Sequence, residues 1–165
     1  MMMMNRFPTS GRLFAVVMTL ALLRLGTAAA QEHSPVNTGY FGNVAILGYD
    51  PVAYFTDRRA VQGSPKINQS WLGATWYFAS AEHRDAFAAE PMRYAPQYGG
   101  FCAGSMSLGL LTDNIDPGAW RIIDGKLYLF GGSGGMEQDF DPMAAKILAD
   151  ADAHWPEMKK KIQGN

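Results

Sequence analysis

The segment AWRIIDGKLYLF, residues 119–130, constrains the fold more than any other stretch of the chain. Two β-prone runs flank Asp124-Gly125, a pair suited to the positive φ angles of a type I′ turn, whose twist matches that of paired antiparallel strands. A hairpin is therefore predicted here. INQSWLGATWYFAS predicts a second, with runs at 67–72 and 74–78 hinged at Gly73. NVAILGYDPVAYFTD is broken by Gly48 and by Asp50-Pro51, because proline presets its own φ and restricts its predecessor. It reads as strand, turn, strand.

Two main helices complete the pattern. Ser80 is placed to cap a helix through AEHRDAFAAE, with Glu82 favoured in the first turn and Pro91 ending it. Phe87 and Ala88 are expected to face the core, and Arg84 and Asp85 the solvent. PMRYAPQYGG reads as a short helical turn followed by irregular backbone. GGSGGMEQDFDP reads as a flexible connector, after which Asp141-Pro142 opens a helix over MAAKILADADAHW. That helix carries Ile147, Ala151 and Trp155 on one face and is stopped or kinked at Pro156. The class expected is α+β, a small antiparallel sheet with two main helices.

The N-terminus sets the compartment. Arg6 and Arg12 precede an apolar run over 13–23, followed by Ala28-Ala29-Ala30, the pattern of a secretory signal peptide cleaved after Ala30. The run is shorter than the ~20 residues of a membrane span, so no stable span is expected after cleavage. The expected division is a signal peptide at 1–30, an N-terminal arm at 31–40 and one domain at 41–165, periplasmic or secreted. Removing 1–30 leaves 11 basic against 15 acidic residues, which disfavours nucleic acid as a partner. With 48% apolar and 12% aromatic residues, a packed domain is expected. Cys102 is the single cysteine, so no disulfide within the chain staples it.

Six blocks in order, LGYDPVAYF (47–55), GATWYFASAEHRDAF (73–87), EPMRYAPQYGGFCA (90–103), DPGAW (116–120), DGKLYLF (124–130) and ADAHWP (151–156), resemble the YHS-domain family in its exported, single-domain branch. The resemblance covers nearly all of the chain after residue 40 and implies a treble-clef-like core. Related short modules, found beside heavy-metal-transporting ATPases, carry cysteines that fall here on Ala53, Ala79 and His83. The resemblance thus implies a metal site whose thiolates have been replaced, since structural zinc needs four ligands. Cys102 belongs to the block typical of the exported branch. That branch more often has tyrosine at Phe101 and asparagine at His83 and His154.

Cys102 has two main readings. It is a small buried hydrophobe, or it is a soft-metal ligand with Met106 four residues on and His83 or His154 completing a copper-like site. Cys102 and Met106 share a face if that segment is helical. The ion expected in such a site is copper or zinc. Thiol redox chemistry is a third reading. Tyr49, Asp50, Tyr54 and Tyr98 form a candidate ligand pocket, although Asp50 also suits the turn before Pro51 and the tyrosines suit packing. His154 reads as a charge near a helix end, His33 as an exposed residue of the arm, and the four tryptophans as core aromatics. No His-Glu-x-x-His or dinucleotide glycine fingerprint occurs. The expectation is an exported, non-enzymatic module binding a metal ion or small ligand, or else a structural or interaction domain with an inert thiol.

Overall fold

The computed structural model describes residues 34–39, 42–132 and 136–164, with side chains described from 143 onward in the last stretch. The expected signal peptide, the start of the arm with His33, and Ser133-Gly134-Gly135 of the expected connector lie outside the described residues. Among the described residues the fold is α+β, with two small antiparallel sheets and five helices.

Both predicted hairpins form. β1 (Ser64–Trp71) pairs with β2 (Ala74–Phe78), and β3 (Asp116–Ile123) with β4 (Lys126–Phe130). The turns are Leu72-Gly73 at φ +48° and +74° and Asp124-Gly125 at φ +50° and +73°, which gives each strand pair its tight two-residue reversal. The single sheet expected from the sequence is corrected to two separate two-stranded sheets. β1 and β3 are each bulged near a proline, Pro65 and Pro117, which cannot donate to a ladder. The far edge of β2 is taken by an isolated parallel bridge from Val44 to Thr75.

β4 divides the interior. Leu127 and Leu129 face one apolar cluster with Ile46, Val52, Tyr54, Trp76, Phe78 and Phe87. Tyr128 and Phe130 face a second with Tyr98, Phe101, Met106, Leu148 and Ala151. Successive strand residues point to opposite faces, so the unbroken apolar run LYLF marks a strand covered on both sides.

The strand, turn, strand reading of 43–57 is corrected. Ile46, Leu47 and Gly48 all take positive φ, so the chain coils through a 3-10 turn (Ala45–Gly48) and then a one-turn helix α1 (Ala53–Thr56). Only the isolated Val44–Thr75 and Tyr49–Gln62 bridges pair as strands do. α2 (Ala81–Ala89) is capped as expected, the Ser80 hydroxyl accepting from the His83 backbone N–H. Phe87 is fully buried, but Ala88 is exposed, because one residue is about 100° of helical rotation. Pro91 starts the short helix α3 (Pro91–Tyr94), and α4 is Ala103–Ser107.

α5 spans Met136–Gln163, 28 residues, so the expected connector is helical from Met136 and Pro156 does not end the helix. An interior proline costs about 3 kcal/mol. Ala144, Ile147, Leu148, Ala151, Trp155, Met158 and Ile162 offset it by lying on the second cluster at three- and four-residue spacing. No described helix is long and apolar enough to cross a membrane.

Residues 34–39 are part of the fold. Asn37 is 1% exposed, and its backbone N–H donates to Gly99 O at 2.8 Å while its carbonyl accepts from Ile46 N at 2.9 Å. Its side-chain amide donates to Gly100 O and Asp113 O, both at 3.0 Å, and its side-chain oxygen accepts from Gly39 N. One residue thus ties the arm to two left-handed turns, 46–48 and 98–100.

Candidate functional site

Asp50 is fully buried. One carboxylate oxygen accepts from the N–H groups of Val52 at 2.8 Å and Ala53 at 3.3 Å. The other accepts from Ala79 N at 2.8 Å and His83 Nδ1 at 2.7 Å. All four lone-pair sites of an ionised carboxylate are engaged, which is how a charge survives burial. Ala53 and Ala79 reach the carboxylate through their backbone N–H groups and His83 through its ring. With Nδ1 donating to Asp50, the His83 Nε2 lies 3.3 Å from Thr56 Oγ1 and 4.0 Å from Asp57 Oδ1.

Cys102 is free, 7% exposed and extended, and it forms the N-cap of α4. Its Sγ accepts from Ser105 N at 3.5 Å. A Cβ on Gly131 would come within 3.4 Å of that sulfur, so β4's end closes over it. Met106 is fully buried, but because Cys102 precedes the helix the two do not share a face. Cys102 packs in the first cluster and Met106 in the second. His83 is held at Asp50. Among the described residues no group of three or more His, Cys, Asp or Glu side chains is placed to hold a metal ion.

The capping role predicts that Cys102→Ser changes stability by less than ~1 kcal/mol, since serine is the better cap, and that Cys102→Ala costs about 1 kcal/mol. Urea denaturation checks both, with alkylation of the wild-type thiol expected only at the rate of unfolding.

The expected tyrosine pocket is only partly assembled. Tyr49 and Tyr54 lie with Asp50 beside the first cluster, whereas Tyr98 belongs to the second. The Tyr54 hydroxyl donates to Pro117 O at 3.0 Å and that of Tyr98 to Asp152 Oδ1 at 2.8 Å. Burial first, then neighbouring Tyr49, raises the Tyr54 hydroxyl above its ordinary range, and burial first, then the Asp152 bond, raises that of Tyr98. A raised folded-state pKa gives stability that is full below the unfolded value of about 10 and is lost as pH rises above it. The contribution of these two hydroxyls is therefore expected to hold to about pH 10 and then fall, with the tyrosinate absorbance of Tyr54 and Tyr98 appearing together with unfolding. A folded protein titrating all its tyrosines near pH 10 would be inconsistent with this packing.

His154 packs against Gly109, and its Nδ1 is buried without a hydrogen-bond partner among the described residues. The helix continues well beyond it, so it does not serve the helix end.

A cleft of about 120 Å³ opens between the first hairpin and α5. Trp71 and Trp76, with ring centroids 5.8 Å apart, line it from the hairpin, and Tyr98 and Trp155, 6.0 Å apart, line it from the Tyr98 turn and α5; Trp71 and Trp155 are half-buried, whereas Trp76 and Tyr98 are buried. Pro35, Val36 and Gly99 contribute to the lining, as do Leu72 and Met92, which are 47% and 76% exposed. Lys159 is the only charged lining residue among the described residues. Trp71, Trp76 and Trp155 pack on the cores as the sequence suggests; that they also line one cleft is not legible there, because the lining comes from segments far apart in sequence. Asn37 was missed for the same reason.

No protein-family model matches the chain, and no curated protein and no solved structure matches it.

Proposed function

We propose that the protein is an exported, non-catalytic, small-ligand-binding module of YHS-like, treble-clef-like kind, whose ligand occupies the aromatic cleft while the single thiol is structural. The observation that carries this reading is the half-open cleft lined by Trp71, Trp76, Tyr98 and Trp155. A concave, mainly apolar site with a few polar groups is the usual form of a small-molecule pocket. The six ordered sequence blocks at 47–55, 73–87, 90–103, 116–120, 124–130 and 151–156 support the family part of this reading. The export pattern of 1–30 supports a periplasmic or secreted location. A mixture of small ring compounds followed by tryptophan fluorescence and amide chemical shifts tests the cleft. Saturable shifts confined to residues 35–36, 71–76, 92–99 and 155–159 are expected, and shifts spread over other surfaces count against it.

A second reading keeps a metal ion but centres it on His83. A histidine that donates one ring nitrogen to a buried carboxylate has the second-shell arrangement common to metal-ligating imidazoles, and Thr56 and Asp57 supply oxygens beside Nε2. Nitrogen and oxygen donors suit zinc or Cu(II) better than Cu(I). Metal titration followed by calorimetry is the test: uptake lost in His83→Ala and kept in Cys102→Ser favours this reading over a thiol site.

A further inference from the structure

Resting on the cleft reading, we propose that its ligand is a monocyclic aromatic carboxylate, with the ring among Trp71, Trp76, Tyr98 and Trp155 and the carboxylate at Lys159. Size sets the ring count. An apolar cavity of ~150 Å³ holds one benzene, and this cleft of about 120 Å³ admits one six-membered ring with its substituent in the open mouth. The aromatic lining favours aromatic over aliphatic rings, because offset and edge-to-face contacts add to simple burial.

Charge sets the tail. The lining holds a lysine and no Asp or Glu. Of the lysines on α5, Lys146 pairs with Asp150 and Lys161 with Glu157, whereas Lys159 and Lys160 make no ion pair among the described residues, and of these two Lys159 is the one that lines the cleft. It is exposed, so holding an anion there requires no buried charge.

The test titrates the protein with phenylacetate, its neutral amide phenylacetamide, and cyclohexylacetate, reading tryptophan fluorescence and amide shifts. Phenylacetate is expected to bind saturably and at least about fivefold more tightly than the other two, the effect of one exposed ion pair or one aromatic contact. Lys159→Gln is expected to remove that margin over the amide. Met92→Glu, at the exposed rim, is expected to weaken phenylacetate and cyclohexylacetate more than the neutral amide. If the amide binds at the cleft as tightly as phenylacetate, the carboxylate is overturned, and if the cyclohexyl acid does, the aromatic ring is; in either case the cleft reading stands. If none of the three shifts the cleft residues, both fail.

Discussion

Gly99→Ala is expected to cost at least ~3 kcal/mol and to release the arm. Gly99 sits at φ +64°, and a Cβ there would lie 1.9 Å from the carbonyl oxygen of Pro35 and 3.0 Å from its carbon. Both atoms are backbone, so no rotamer change relieves the overlap. The left-handed conformation alone costs a residue with a Cβ roughly 1–2 kcal/mol. The remainder comes from pushing residues 34–39 off the surface, which breaks the Asn37 N–H bond to Gly99 O and opens the side of the cleft that Pro35 and Val36 line. Urea denaturation measures the stability loss, and hydrogen exchange at Val36, Asn37 and Ile46 reports the arm. A Gly99→Ala protein with wild-type midpoint and protected arm amides would contradict the docking described. The Tyr-Gly-Gly before the cysteine thus serves the arm, not the thiol.

The second large effect is at Asp50. Asp50→Ala is expected to cost about 4 kcal/mol, because it strands three backbone N–H groups and the His83 imidazole around an emptied position. These donors belong to α1, to Ala79 just beyond β2 and to α2, so the loss loosens three elements together. Asp50→Asn keeps one acceptor oxygen but turns an amide donor toward other donors, and an intermediate loss is expected. His83→Ala removes one donor from a carboxylate that retains three, at a site where the imidazole is 18% exposed to water, and is expected to cost only ~1 kcal/mol. Urea midpoints at constant m-value rank the three variants. If Asp50→Ala falls within 1 kcal/mol of wild type, the carboxylate is not the tie between these elements.

What could be read from the sequence was local. The Asp-Gly turn, the Leu-Gly reversal beside Trp71 and the Ser80 cap each depend on a few neighbouring residues, and the structure forms all three. Left-handed backbone at Ile46 was not legible, because a β-branched residue carries no signal for positive φ. It is supported by Asn37 and Gly100, contacts made across the fold. The length of α5 was misjudged because Pro142 and Pro156 are local breakers, whereas the apolar stripe from Ala144 to Ile162 is rewarded only by the second core. Cys102 and Met106 have helical spacing, but the helix begins one residue too late for both to lie on it. The cleft needs residues near 35, 71–76, 92–99 and 155–159 together, and no local pattern encodes that meeting.

The separation of the thiol from the binding site is the central claim, and Cu(I) competition with a chromophoric chelator tests it most directly, wild type beside Cys102→Ser. The two proteins are expected to compete equally and weakly, because the sulfur is buried, caps α4 and has Met106 on the other side of β4. A tight Cu(I) complex in the wild type that Cys102→Ser lacks would contradict it.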